Sequence, residues 1–360
     1  FVDLMAEYRE AIELALDILK NAANFIASKI ILKGGKKTPV VVFNTHTWER
    51  TDIAFINLTL PKPVENYEFK TGVGEAVPFE LTGQKKQGDV YEAKVKVLTT
   101  VPALGFITLY INETGKEADI EVKHENSDSI ENEFYKITVD PALGGGITSI
   151  YDKKNGKEVI KTGADGPANR INALKEDKYR YEPTHEFYTS GEKAFSSEYQ
   201  ADVTCEKGLL AQTLIIKGRI GSVCRTRQKI TLTKGIDRID FKTDIINYQK
   251  KDHLFSVTFP VDVAGAKPVF DDRFAPIAGA QSRGKLDFRT HEMYMFSHCQ
   301  VFPANQWMDY GQSVKADFGK GKSINLGMSV IIRSQEDDFL PASDRLLTAL
   351  SKKAIPVTVY

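Results

Sequence analysis

The stretch Asn132-Glu-Phe-Tyr-Lys-Ile-Thr-Val139, followed by Gly144-Gly-Gly146 and Ile147-Thr-Ser-Ile-Tyr151, decides the fold class of this 360-residue chain. Both apolar runs are rich in β-branched and aromatic residues, and a glycine turn separates them. Asn155-Gly156 then stands between β-favouring runs, which predicts a hairpin with a type I′ turn. The stretch therefore predicts neighbouring antiparallel β-strands.

Similar runs continue on both sides of this stretch. Upstream they are Val40–Phe43, Ile53–Leu60, Tyr91–Val97 and Phe106–Ile111, and downstream they are Leu209–Ile220, Val223–Thr233, Arg238–Asn247 and Leu254–Val263. Helices do not alternate with strands across about 130–330, so the pattern favours an antiparallel sandwich over a parallel sheet. We predict a mainly β protein, with a small β-sandwich at 38–115 and a larger antiparallel region at 125–325.

The two ends of the chain do not show this pattern of successive β-strands. Asp3 to Ile30 has the apolar period of one amphipathic helix, and the segment 1–34 is assigned to it. One helix cannot bury its own apolar stripe, so it packs on the β region or on helices upstream. At the other end, 326–360 reads as a short α/β segment. It combines the strand-like runs Met328–Ile332 and Ile355–Tyr360 with a helical run between them. We therefore expect the chain to be part of a longer protein.

Composition narrows the possible partners. Lys+Arg and Asp+Glu both number 48, so the formal net charge is zero. This balance argues against nucleic acid or an acidic membrane surface held by bulk electrostatics. No apolar run approaches the roughly 20 residues of a membrane span. Cys205, Cys224 and Cys299 form an odd set without CxxC spacing, so we predict buried structural thiols, which favour a reducing, cytoplasmic compartment.

Catalytic motifs are missing from the sequence. The zinc-hydrolase spacings H-x-D and H-E-x-x-H, the serine elbow G-x-S-x-G and the fingerprint G-x-G-x-x-G do not occur. His124, His185 and His291 each precede a glutamate, but adjacent side chains on a strand point to opposite faces. Gly144–Gly146 predicts a backbone turn, because no helix follows to bind a phosphate. We assign no catalytic residue and no metal ligand.

Two places could contact a sugar. Asp271-Asp272-Arg273 follows a long apolar strand and precedes a Pro/Gly-containing loop, where binding sites tend to lie. Acidic pairs act in glycoside hydrolysis, although they are also common on surfaces. Trp307 could stack on a sugar face or anchor the core of a sandwich. We take Asp271, Asp272, Arg273 and Trp307 as candidate substrate-binding residues.

Several segments share their order and spacing with one known pattern over about 270 residues. They are Val41–Asp52 (FN…WxR), Val101–Phe106 (lPalGy), Ile130–Tyr135 with Gly146–Lys154 and Gly156 (lEN…GxitSiyDk…g), and Gln306–Asp309 (WxD). Together they resemble the β half of the alpha-mannosidases of glycoside hydrolase family 38. The tail after about Gly311 departs from that pattern.

The resemblance implies an arrangement for the whole protein. In that family a zinc-bearing α/β catalytic domain comes first, followed by a three-helix bundle and β-sandwiches. The helix at 1–34 is then the last member of the bundle, and 125–325 is a supersandwich like that of the galactose mutarotases. The nucleophile, the general acid and the zinc ligands belong to the N-terminal catalytic domain, and none maps onto a residue here.

The implied function is the hydrolysis of alpha-mannosides with retention of configuration. This chain would scaffold its own catalytic domain, contact mannose-containing carbohydrate and itself be inactive and free of cofactor. A homo-oligomer is compatible with the sequence. Two alternatives stay open: a stand-alone carbohydrate-binding or interaction module, and a mutarotase-like isomerase that uses His185 or His253 with a glutamate.

Overall fold

The computed structural model describes residues 2–31, 38–115, 120, 122–161, 163, 166–176, 189–261, 269–272, 275–278, 308–309 and 329–332. The fold is mainly β, with one long N-terminal helix and several antiparallel sheets, as the sequence predicts. The chain divides into two compact units. The first comprises Phe1–Glu125, Glu206–Gln212 and Thr233–Arg238, and the second comprises the rest of the chain.

The N-terminal helix α1, Val2–Lys29, confirms the predicted amphipathic helix. Its apolar side chains lie in water: Tyr8, Ile12, Leu19 and Ile26 are between 42% and 58% exposed. No side chain described between residues 6 and 29 is buried. The helix therefore does not bury its apolar stripe against the described part of the β region.

The other elements of the first unit are strands. They are β1 (Thr38–Asn44), β2 (Arg50–Leu60), β3 (Tyr67–Thr71), β4 (Ala76–Val77), β5 (Phe79–Gln87), β6 (Val90–Val101), β7 (Gly105–Glu113) and β8 (Lys123–Glu125). Two antiparallel sheets have the orders β1-β7-β3-β4 and β2-β6-β5. Side chains from both sheets, including Phe69, Val97 and Leu109, form one buried core. This is the packing of a β-sandwich.

The second unit contains the remaining strands. They are β9 (Ser129–Glu131), β10 (Tyr135–Asp140), β11 (Gly146–Asp152), β12 (Lys157–Glu158), β13 (Arg170–Glu176), β14 (Thr189–Phe195), β15 (Asp202–Lys207), β16 (Ala211–Ile220), β17 (Cys224–Thr233), β18 (Ile239–Ile246), β19 (His253–Thr258), β20 (Val269–Asp272), β21 (Ala275–Ala278), β22 (Met308–Asp309) and β23 (Ser329–Ile332). Strand β23 confirms the predicted run at 328–332. The helical and strand-like runs predicted at 343–352 and 355–360 lie outside the described residues.

The strands of the second unit form several sheets. Their orders are β12-β11-β10-β9, β14-β13-β19-β23, β18-β17-β16-β15 and β21-β20-β22. Ile137, Ile147, Leu214, Ile216 and Ile230 lie in the largest buried core of this unit. The alternation of buried and exposed residues along β17 is typical of a strand with one face on a core.

The hairpin predicted at Asn155-Gly156 is present, but its predicted turn type is wrong. Asp152 pairs with Lys157, so four residues rather than two connect β11 to β12. The carboxylate of Asp152 accepts hydrogen bonds from the backbone N–H and the side-chain amide of Asn155, at 3.0 and 2.6 Å. These bonds stabilise the longer turn, in which Gly156 has a positive φ of 63° and Asn155 does not.

Neighbouring atoms pack closely against the turn at Gly144–Gly146, which agrees with its interpretation as a structural turn. A Cβ atom on Gly144 would lie 2.1 Å from the carbonyl oxygen of Ser196. One on Gly145 would lie 2.3 Å from a methyl carbon of Ile216, and one on Gly146 would lie 2.4 Å from Pro167. Close packing therefore explains the three glycines.

Candidate functional site

Asp271 and Asp272 are the last two residues of strand β20, whereas the sequence predicted that they follow the end of a strand. Strand β20 pairs antiparallel with β21, with Asp271 opposite Pro276 and Asp272 opposite Ala275. This pairing places the two acids at one end of a short hairpin. Arg273 lies outside the described residues.

The strand that follows Trp307 in sequence lies beside β20. Strand β22 pairs with the other edge of β20, with Met308 opposite Phe270 and Asp309 opposite Val269. Trp307 lies outside the described residues, directly before β22. The backbone thus brings the Asp271–Asp272 segment and the Met308–Asp309 segment into one three-stranded sheet, although about 35 residues separate them in sequence.

His253, one of the histidines considered for isomerase chemistry, is buried in the second unit. Its Nδ1 atom lies 2.8 Å from the carbonyl oxygen of Lys251 and 3.1 Å from the hydroxyl of Tyr248. Burial, with the nearby charge of Lys175, lowers the pKa of the imidazole. A neutral, packed histidine of this kind is typical of a core. His185 lies outside the described residues.

Cys205 and Cys224 are buried and free, which confirms the prediction of structural thiols at these positions. Burial raises the pKa of Cys224 to about 11. A thiol with a raised pKa is a poor nucleophile and a poor metal ligand near neutral pH. Cys299 lies outside the described residues.

The segment Val41–Asp52 comprises the end of β1, a loop and the start of β2, and a buried asparagine organises the loop. The side-chain amide of Asn44 donates to the carbonyl oxygens of Trp48, Val101 and Pro102 at 2.8, 3.1 and 3.0 Å. Its oxygen accepts from the backbone N–H of His46 at 3.0 Å. The amide therefore joins the loop between β1 and β2 to the turn between β6 and β7, and it satisfies buried backbone groups of both.

The segment around Asn132 is held in a similar way. The side-chain oxygen of Asn132 accepts from the backbone N–H groups of Phe134 and Tyr135, at 2.9 and 2.8 Å. The ammonium group of Lys153 lies 2.7 Å from a carboxylate oxygen of Glu131 and donates to the Asn132 carbonyl at 2.5 Å. These motif residues shape turns in the described structure.

The described ranges contain neither a cluster of metal-ligating side chains nor a membrane-spanning helix. No group of three or more His, Cys, Asp and Glu side chains there is arranged to hold a metal ion. No described helix has both the length and the apolar character needed to cross a membrane.

Comparison with known proteins identifies the class. Residues 130–331, more than half of the chain, match the family model described as the C-terminal domain of family 38 glycosyl hydrolases. A search of curated proteins finds no match. The antiparallel β region of the second unit is therefore a domain of a glycoside hydrolase. The chain belongs to glycoside hydrolase family 38, as the resemblance of its motifs predicted.

Proposed function

We propose that this chain is the C-terminal part of an alpha-mannosidase that hydrolyses alpha-mannosides with retention of configuration. The match of residues 130–331 to the family's C-terminal domain carries the proposal. In a retaining enzyme one carboxylate forms a glycosyl-enzyme intermediate and a second acts as acid and base. Both carboxylates, and the zinc ion expected beside them, are assigned to a separate catalytic domain. We assign no metal-dependent step to this chain.

The proposed role of this chain towards that domain is that of a scaffold. Helix α1 exposes a stripe of large apolar side chains that includes Ile12, Leu16 and Leu19. At roughly 25 cal/mol per Å² of apolar surface removed from water, covering such a stripe stabilises a complex by several kcal/mol. The partner that we propose for this face is the other helices of the three-helix bundle that the family resemblance implies.

The proposed contact with substrate lies at strands β20 and β22. Carboxylates such as those of Asp271 and Asp272 accept hydrogen bonds from sugar hydroxyl groups. Arg273 supplies donors, and Trp307 supplies a flat apolar face for a sugar ring. The pairing of β20 with β22 supports this grouping, because it brings the two segments together.

Catalysis is tested with the 360-residue chain and an aryl alpha-mannoside. The chain alone should release no aryl group above the uncatalysed rate, and co-expression with the catalytic part of its parent protein should give turnover. A matched pair of variants tests the scaffold role: Leu16→Glu on the exposed stripe should weaken co-purification, whereas Glu10→Gln on the same helix should not. Turnover by the chain alone would contradict the assignment of chemistry to another domain.

Substrate contact is tested by fluorescence, because Trp48 and Trp307 are the two tryptophans of the sequence. Trp48→Phe leaves Trp307 as the reporter, and Trp307→Phe leaves Trp48. Titration of the 360-residue chain with mannose should change the emission of the Trp48→Phe protein and leave that of the Trp307→Phe protein unchanged. The reverse result would move the sugar contact to the loop of Trp48. Mannose binding by the isolated chain together with no binding to a catalytic part would instead favour a stand-alone carbohydrate-binding module.

A further inference from the structure

A cavity of about 280 Å³ lies at the turn between strands β16 and β17. Its lining includes Arg219, Gly221, Ser222, Arg225 and Asn247. The turn is closed by a hydrogen bond from the backbone N–H of Val223 to the carbonyl oxygen of Ile220, at 2.8 Å. The cavity therefore lies within the second unit, on a short and well-defined hairpin.

The charges around this cavity have one sign. Arg219 and Arg225 each bring a guanidinium group, and no carboxylate belongs to the lining. In the described part of the chain neither arginine forms a salt bridge. Arg227, two residues further along β17, differs because its guanidinium donates to Asp244 at 2.9 and 3.0 Å. The two cavity arginines thus retain donors for a ligand.

The cavity wall is also ordered by local contacts. The guanidinium of Arg219 lies over the ring of Tyr199, 5.1 Å from its centroid. A cation–π contact of this kind does not use the N–H groups as hydrogen-bond donors to an acceptor oxygen. A Cβ atom on Gly221 would lie 3.1 Å from the Tyr199 hydroxyl, so a glycine permits this approach. Asn247, which also lines the cavity, adopts a positive φ of 55°, which is uncommon for a residue other than glycine.

We propose that this cavity binds a small oxyanion, either a phosphate or a carboxylate group, free or carried on a small molecule such as a monosaccharide. Arginine forks match the geometry of both groups and form the stronger, charge-assisted hydrogen bonds. The hydroxyl of Ser222 and the amide of Asn247 add neutral donors. A volume of about 280 Å³ equals about nine liquid water molecules at about 30 Å³ each, which is room for one such group. The proposal does not depend on the mannosidase assignment.

The test is calorimetric titration of the full chain at constant ionic strength with chloride as the background anion. The probes are inorganic phosphate, mannose 6-phosphate, glucuronate and, as the neutral match, mannose. At least one of the anionic probes should bind. Arg219→Gln and Arg225→Gln should each weaken that binding about tenfold, the size expected for one charge-assisted hydrogen bond. Lys217→Gln removes a positive charge from the same strand outside the cavity and should leave the affinity within about twofold.

The outcomes separate the sources of the anion. Equal affinity for phosphate and mannose 6-phosphate supports a site for the free ion, and tighter binding of mannose 6-phosphate or glucuronate supports an anionic sugar. Arg225→Lys keeps the charge without the fork and should bind with intermediate affinity, provided that its thermal midpoint equals that of the unmodified chain. Failure of every anion to bind at millimolar concentration would overturn the proposal. So would a loss of affinity in Lys217→Gln as large as that in the two arginine variants. Neither result bears on aryl mannoside hydrolysis.

Discussion

At some positions close packing allows only one type of residue, and the glycines of this chain show this most clearly. Gly145 has a φ of 70°, and a Cβ atom there would lie 2.3 Å from Ile216 in the core of the second unit. Gly235 has nearly the same φ, 72°, but open space around its Cα atom. The two glycines therefore separate the conformational requirement from the packing requirement.

We expect Gly145→Ala to lower the free energy of unfolding by about 3 kcal/mol or more, since backbone strain and overpacking add. Gly235→Ala carries the strain alone and should cost about 1 kcal/mol. Urea unfolding of both variants, followed by circular dichroism, measures the difference. Equal losses would mean that Ile216 moves aside without cost.

Asp52 makes the stability of the first unit sensitive to acid. Burial by itself raises the pKa of this carboxyl, but hydrogen bonds from Arg238, from the backbone N–H of Ile53 and from Arg50 outweigh burial, so the pKa is lowered. The Arg238 guanidinium lies 3.1 Å from the carboxylate and the Arg50 guanidinium 2.6 Å from it. The ionised form is thus the one that the folded chain favours.

A lowered pKa in the folded state gives stability that is present above the unfolded pKa, about 3.9, and is lost as the pH falls through the folded value. The free energy of unfolding should therefore decrease from about pH 5 towards pH 3. In Asp52→Asn that decrease should be shallower, because the carboxyl is gone. Denaturant titrations at a series of pH values measure the slopes, with the exposed Asp202→Asn as control. If the free energy of unfolding falls with pH equally steeply in Asp52→Asn and in the unmodified chain, Asp52 is not the cause of the acid sensitivity.

At the scale of elements, a buried carboxylate holds a segment that is remote in sequence. Glu80 on strand β5 is 2% exposed. It accepts hydrogen bonds from the backbone N–H groups of Leu210 and Ala211, and the Lys96 ammonium lies 3.5 Å from it. A Cβ atom on Gly208 would lie 2.1 Å from the carboxylate, so this segment approaches Glu80 because residue 208 is glycine.

Removing this carboxylate leaves buried N–H donors and a half-buried ammonium without an acceptor. We expect Glu80→Ala to lower the free energy of unfolding by about 3 kcal/mol. Glu80→Gln keeps an acceptor oxygen and should lower the free energy of unfolding by a smaller amount. Glu92→Ala on strand β6, where the side chain is exposed, should change stability by less than about 0.5 kcal/mol. A loss in Glu92→Ala as large as that in Glu80→Ala would show that burial is not the reason.

At the scale of the whole molecule, helix α1 contributes little to the stability of the β units, because its apolar side chains are exposed. Leu16→Glu and Leu19→Glu should each change the denaturant midpoint of the β units by an amount equivalent to less than about 0.5 kcal/mol. Leu109→Ala, which removes a fully buried side chain, should cost about 3 kcal/mol. Near-UV circular dichroism follows the β units through these unfolding curves. A large loss of stability in the two helix variants would mean that the apolar stripe of helix α1 already packs on another part of the chain.

Much of this architecture could be predicted from local patterns. The helix at 3–30 and strands such as β2, β6 and β17 follow from periods of 3.6 and 2, which depend on neighbouring residues alone. Strand β5, Phe79–Gln87, was not predicted, because its second half is a run of polar residues without apolar alternation. It is a strand because β6 pairs along its length, with Phe79 opposite Val97 and Gln87 opposite Val90.

By itself, the sequence determined the β class, the N-terminal helix and the membership of glycoside hydrolase family 38, because these depend on periodicity and on motifs of adjacent residues. The tertiary structure alone decided which distant segments meet. It placed β20 beside β22, Leu210 beside Glu80 and two arginines around one cavity. Pairing of strands and burial of charge depend on contacts across up to 186 residues of chain, and no local period encodes such contacts.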